Sequence, residues 1–284
     1  MVRRILLGSQ LRRLRESRGV TREAAGYSIR ASESKISRME LGRVSFKARD
    51  VADLLTLYGV NDESEREPLL RLAKESSVAG WWHSYSDVLP GWFQTYVGLE
   101  GAASGISAYE VQFVHGLLQT EDYARAVISH GHRTDLPRDE VDRRVALRLQ
   151  RQRVLNTEGP GSESGTHLVC VLEEGALRRP FGGPRVMRDQ LEHLIQVSEH
   201  PRITLQLAPF DLGGHSAESG PFTVLRFPEP DLSDVVYLEQ LTSALYLDKA
   251  DEVDQYQRAL DRLREHSLSA ASTRDLLREL KRKI

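Results

Sequence analysis

The 284-residue chain has a single cysteine, Cys170. One thiol excludes an internal disulfide framework and fits a reducing compartment. Long apolar runs are missing too: nothing approaches the roughly 20 residues a membrane-spanning helix needs. The opening "MVRRILLGSQ" carries two arginines but too little apolar sequence for a signal peptide, so a cytoplasmic location is expected. Neither a P-loop nor a G-x-S-x-G elbow occurs. In "SHGHR", His130 and His132 have no carboxylate or cysteine at a ligand spacing, so no metal is expected. No repeat recurs at a solenoid period. What remains is an ordinary globular composition, 40% hydrophobic and 28% charged, with no cofactor and no enzymatic chemistry expected.

What is there is unevenly spread. The net charge is −2, yet residues 1–49 hold thirteen Lys/Arg against four Asp/Glu, a balance of +9. The remainder carries −11. A basic module that meets a polyanion, followed by an acidic body that does not, accounts for the split.

The first eighty residues read as short helices. "LLGSQLRRLRES" puts Leu7, Leu11 and Leu14 on one face, and Gly19 stops it. Thr21 suits the N-cap of a helix over 22–29, and Ser32 that of a helix over 33–41. "ARDVADLLTLYG" gives a fourth helix with Val51, Leu54, Leu55 and Tyr58 inward. A fifth opens with Asp62 and Glu65 spaced as a capping box.

All three tryptophans then fall in "AGWWHSYSDVLPGWFQTYVGLE", among Gly and Pro breaks. This predicts an aromatic junction at 77–95 between a domain at 1–76 and a second at 96–284. Trp81 and Trp82 there could plug the junction or cage a ligand; the plug is favoured. Beyond it, helical signals cover 121–129, 138–156, 184–198, 250–266 and 273–281. Short β-like runs lie at "THLVCVLE", "ITLQLAPF", "FTVLRF" and "DVVYLEQ". The mixture predicts an α+β second domain. Cys170, mid-strand in "LVCVL", reads as a core residue. Glu173 and Glu174 follow that strand with no base or nucleophile motif beside them. The arginine-rich helix over 138–156 reads as a solvated face, and Gly182-Gly183-Pro184 as a plain helix start.

Two short helices joined by a tight turn have the spacing of a helix-turn-helix. In the second, Ile36 and Met39 point into the core with Ile29 and Val20, leaving Glu33, Ser34, Ser37 and Arg38 outside. Only hydrogen-bonding side chains read base edges, and a dry back with a polar front suits that task. "LRRLRESRGVT", the S-x-x-x-I-S-x-x-E-x-G run over 32–42 and "LYGV" resemble the Cro/phage-repressor, or xenobiotic-response-element, helix-turn-helix. That resemblance implies a buried ion pair between Arg15 and Glu40. It implies base reading by Glu33, Ser34 and Arg38, and phosphate contacts from Arg22 and Ser32. Lys35, Ser37, Arg43 and Lys47 join the phosphate set as flanking polar and basic side chains. The sequence departs from that family at Arg30, where glycine usually takes a left-handed turn, and at Ala25-Gly26, which predicts a poorly packed second helix.

"GWWHSYSDVLPGW", "GLLQTEDYARAV", "RVALRLQRQRVL", "ALRRPFGG", "GPFTVLRF" and "VVYLEQLTSALYL" resemble, in order, a group of actinobacterial regulators, the WhiJ-like family. This implies a transcription regulator on double-stranded DNA, often acting with a small partner protein. A homodimer on half-sites one helical turn apart is expected, since one module reads too few base pairs. The rival expectation is an antitoxin-like or scaffold protein whose DNA contact serves autoregulation. Gln119 and Tyr123 of "GLLQTEDYAR", with Trp81 and Trp82, are the candidate ligand contacts.

Overall fold

A computed structural model of the chain describes residues 2–42, 44–76, 80–131, 136–155, 165–217, 219–228 and 232–284. The chain forms two compact units, with the main division between His83 and Ser84. The aromatic segment is thereby split: Trp81 and Trp82 belong to the first unit and Trp92 to the second.

The first unit is helical. Helices α1 (Val2–Ser17), α2 (Arg22–Ser28), α3 (Glu33–Glu40), α4 (Ala48–Leu57) and α5 (Glu63–Ser76) surround one apolar core. Leu7, Leu11, Ile36, Met39, Val51, Leu54, Leu55 and Tyr58 are all buried in it. Capping chemistry sets the short helices. Thr21 accepts from the Ala24 N–H and Ser32 from the Lys35 N–H, so α2 and α3 begin where the sequence predicts. At α5, the Asp62 carboxylate accepts from both the N–H and the hydroxyl of Ser64.

The second unit is α+β. After a 3-10 turn (Trp81–Tyr85) come α6 (Gly91–Glu100), α7 (Glu121–His130), α8 (Arg138–Arg151), α9 (Glu174–Arg178), α10 (Gly183–Val197), α11 (Ala250–His266) and α12 (Ala270–Lys283). Its strands are β1 (Gly105–Glu110), β2 (His167–Glu173), β3 (Ile203–Ala208), β4 (Phe222–Arg226), β5 (Val235–Glu239) and β6 (Ala244–Leu247). They form one sheet in the order β3-β2-β1-β4-β5-β6. β1, β2 and β3 run parallel; β4, β5 and β6 add antiparallel.

One face of the sheet buries Tyr109, Val171, Ala208, Phe222, Val224 and Val236 with Val253, Leu260 and Leu263 of α11. The alternate residues Ile106, Ala108, Leu168, Cys170 and Leu205 are buried on the opposite face. Cys170 pairs with Ala108 and Leu205 in the ladder, and burial holds its thiol well above the usual range.

Two elements of the sheet are absent from the sequence prediction. β1, the central strand, is written "GISAYE", and β6 is the four-residue "ALYL". Both lack the branched apolar run that marks β2 and β4. The helix expected to reach residue 156 ends at Arg151 and tightens into a 3-10 turn, Gln152–Val154. Residue 156 itself lies outside the described residues.

Candidate nucleic-acid interface

The turn between α2 and α3 is built by backbone. Ala31 N–H donates to Gly26 O at 2.8 Å, and Ile29 N–H to the same oxygen at 3.2 Å. Arg30 sits at φ 55°, the only left-handed non-glycine residue among those described. The left-handed turn for which glycine was expected is therefore made, with an arginine bearing the strain.

Gly26 corrects the expectation of a poorly packed second helix. Ala25 is fully buried, and a Cβ at Gly26 would lie 2.7 Å from Ala31 O. The missing side chain is what lets the turn fold back onto α2. Gly8, unremarked in the sequence, acts alike: a Cβ there would meet Met39 O at 2.4 Å, so α1 and the end of α3 touch backbone to backbone.

α3 is also held by charge. Arg15 Nε donates to Glu40 Oε1 at 2.5 Å and Nη2 to Oε2 at 3.1 Å, with both side chains at least nine-tenths buried. Arg15 Nη1 reaches Val20 O at 2.9 Å. Hydrogen bonding to Glu40 raises the Arg15 pKa above its already high value. Arg22 Nε shares the same carboxylate, at 3.0 Å to Oε2. Arg22, expected to face phosphate, therefore has one donor turned inward, because a buried carboxylate accepts more than one bidentate partner leaves it.

The front of α3 presents Glu33, Ser34 and Arg38, all exposed, with Ser32 exposed at its cap and Ser37 half-buried. Arg38 Nε rests on Ser34 O at 3.3 Å, one turn back along the same helix. Lys35 differs from its expected phosphate role: its ammonium forms an ion pair with Asp50 of α4 at 2.9 Å. Lys47 is exposed at the start of α4. Arg43 lies outside the described residues. Tyr27 was missed by the sequence reading; at 88% exposed on α2 it is the large apolar side chain least used by this unit's core. Its signal was local, an aromatic in a stretch that otherwise offers only small residues to the core.

The ligand candidates are placed otherwise. Gln119 is buried, its amide donating to Val114 O at 2.6 Å and accepting from Arg148 at 2.8 Å. Tyr123 is fully buried, its hydroxyl accepting from Val114 N–H and its ring edge-on to Phe181. Both are buried and hydrogen-bonded within the second unit. In the first unit Trp81 and Trp82 meet edge to face at 6.1 Å, and the Trp82 ring covers Gly80. Trp82 also stacks on His83, so the rings pack on one another.

The arginines of this segment divide: Arg138 and Arg153 are exposed as expected, whereas Arg151 is buried and Arg143, Arg144 and Arg148 are half-buried. Arg151 makes two hydrogen bonds to Glu100, at 2.8 and 2.7 Å, with both side chains buried under the rings of Phe93 and Tyr96. Arg143 bonds Ser84 O and Asp87, and Arg144 bonds Glu140. Burial, then the charge of Arg151, lowers Arg148 to about 10. Glu173 has the partners its sequence context withheld: Tyr109 donates to it at 2.7 Å, and His215 Nε2 stands 3.0 Å from the same oxygen. Gly182, left-handed at φ 71°, precedes α10 as a plain helix start. Among the described residues no group of three or more His, Cys, Asp or Glu could hold a metal ion, and His132 is outside them. No helix among them is long and apolar enough to cross a membrane.

A braced pair of short helices with a polar outer face, followed by an α+β unit, defines a helix-turn-helix DNA-binding protein with an appended domain. Residues 6–69 match the family described as a helix-turn-helix domain. Residues 93–279 match the domain of unknown function DUF5753, and the chain belongs to that family. No curated protein and no solved structure matches it significantly.

Proposed function

We propose that this protein is a sequence-specific transcription regulator that binds operator DNA as a homodimer and works by binding, not by catalysis. The observation that carries this reading is the two-sided α3: Ile36 and Met39 are buried behind it, while Ser32, Glu33, Ser34 and Arg38 stand exposed in front. Those four carry the donors and acceptors that base edges and adjacent phosphates require. Arg38 and Glu33 take the base-reading roles. The Ser32 hydroxyl, Lys47 and the outward part of Arg22 contact phosphate, joined by the exposed Tyr27 hydroxyl.

The +9 charge of residues 1–49 supports the affinity term, since phosphate neutralisation supplies most non-specific binding. The brace from Arg15 to Glu40 supports rigidity of the reading helix. The second unit would set half-site spacing and transmit a ligand or partner signal. Selection of bound fragments from genomic DNA by the full chain tests the reading. A shared palindromic motif with half-sites about 10 bp apart is expected. Recovery of unrelated fragments with no enriched motif would sink it.

A further inference from the structure

The second unit holds an open cleft away from every residue assigned above to DNA. It lies where the β3–β4 connection meets α11, has a volume of about 580 Å³, and is lined by Gly213, Gly214, His215, Ser216, Arg262 and His266. That size is within the range of small-molecule sites.

Its position follows from the topology. The chain runs from β1 to β2 to β3 on one side, then returns to the other side of β1 with β4. The strand order thus reverses between β1 and β4, and the carboxyl end of β1 lies at that reversal, beside the carboxyl end of β2. Tyr109 and Glu173 occupy those two ends. The Tyr109 hydroxyl donates to Glu173 at 2.7 Å, and His215 Nε2 lies 3.0 Å from the same carboxylate and 3.1 Å from the tyrosine oxygen. Ala217 N–H donates to His215 Nδ1 at 3.1 Å, which leaves the ring proton on Nε2, facing Glu173. Ser216 Oγ donates to Ala259 O of α11 at 2.7 Å. The loop is therefore tied to the sheet on one side and to α11 on the other, and the cleft between them is formed in advance.

The cleft offers donors without acceptors of opposite charge. Arg262 is exposed and its guanidinium has no partner among the described residues. His266 Nδ1–H donates to Arg262 O at 2.7 Å, which orients the ring at the cleft and leaves its Nε2 as an acceptor. The Gly214 N–H makes no hydrogen bond among the described residues, and a Cβ at Gly213 or Gly214 would meet only open space. Gly213, at φ 73° and ψ −144°, holds a conformation that side chains disfavour, so an open backbone edge is maintained there. No described carboxylate lines the cleft. A partner-free guanidinium and an open glycine backbone edge on one cleft, with no lining carboxylate, are the complement of an oxyanion.

We propose that this cleft binds a small oxyanion-bearing metabolite, a phosphate or carboxylate compound. The binding claim stands by itself; only its consequence for DNA affinity rests on the function proposed above.

Isothermal titration of the full chain without DNA tests it, using inorganic phosphate and succinate separately at fixed ionic strength. Saturable one-site binding of at least one anion is expected, weakened about tenfold or more in Arg262→Ala, the loss of one charge-assisted contact. His266→Gln, which removes no donor to the anion, should change it less than about twofold. Arg262 is exposed, and an unchanged circular dichroism spectrum shows that the variant is folded. Absence of saturable heat from both anions, or equal affinity in Arg262→Ala, overturns the proposal. Either result leaves the operator selection unaffected, so the two readings fail separately.

Discussion

Arg151 of α8 and Glu100 of α6 form a two-bond ion pair, 2.8 and 2.7 Å, buried inside the second unit. Arg15 and Glu40 do the same in the first. Each unit thus ties two of its helices together with a buried Arg–Glu pair. Removing one partner strands the other charge away from water, so Glu40→Ala and Glu100→Ala should each cost about 3–5 kcal/mol. Urea denaturation checks this, and a loss below about 1 kcal/mol would mean the pair is hydrated. Replacing both partners of one pair by apolar residues of similar volume should cost far less than either single change.

Gly26→Ala separates packing from propensity. Helix propensity alone gives the alanine an advantage of roughly 0.5–1 kcal/mol. The 2.7 Å approach of its Cβ to Ala31 O gives the opposite sign, a loss of about 1–3 kcal/mol as the turn is pushed off α2. A melting temperature that rises in this variant contradicts the described turn.

Arg38→Ala should relax base preference at one position of each half-site and weaken cognate binding by about 1–3 kcal/mol. Lys47→Ala should instead weaken binding to all sequences alike and flatten the salt dependence, since a phosphate contact carries no sequence information. Competition assays with single-base operator variants distinguish the two. Equal loss on every variant for Arg38→Ala would remove it from the base-reading set.

His115 gives the second unit a defined acid limb. It is buried, its Nδ1 accepts from Leu117 N–H at 3.3 Å, and burial lowers its pKa from 6.5 to about 4. The unfolded chain therefore binds the proton first as pH falls. The His115 contribution is full above pH 6.5 and is lost progressively down to about pH 4. In that window the slope it adds approaches about 1.4 kcal/mol per pH unit. Unfolding curves of wild type and His115→Asn across this range should converge as the pH drops. Parallel curves would show that His115 titrates normally.

Much of the first unit was legible because its signals are local. Thr21 and Ser32 cap helices that start one residue later, and Ile36 and Met39 repeat within a single turn. The Arg15–Glu40 pair was reachable only through the family resemblance. The same locality explains the misreading of Gly26, which is a weak helix former by itself and an essential gap only against Ala31. In the second unit, β1 carries no strong signal because its partners supply its stability from far along the chain. Its Ala108 pairs with Cys170 and Thr223.

Charge, capping and periodicity in the sequence determined a basic helical module followed by an acidic α+β domain, and which side of α3 faces away from the core. Only the tertiary structure decided where the charges go. Lys35 turned to Asp50, Arg22 to Glu40, Arg148 to Gln119 and Arg151 to the buried Glu100. Whether an arginine meets water or a buried carboxylate depends on which distant residue the fold brings within about 3 Å of it. For Arg151 that residue lies 51 positions away, and for the Glu173–His215 contact beneath the oxyanion cleft the separation is 42. No local pattern in the sequence records either distance.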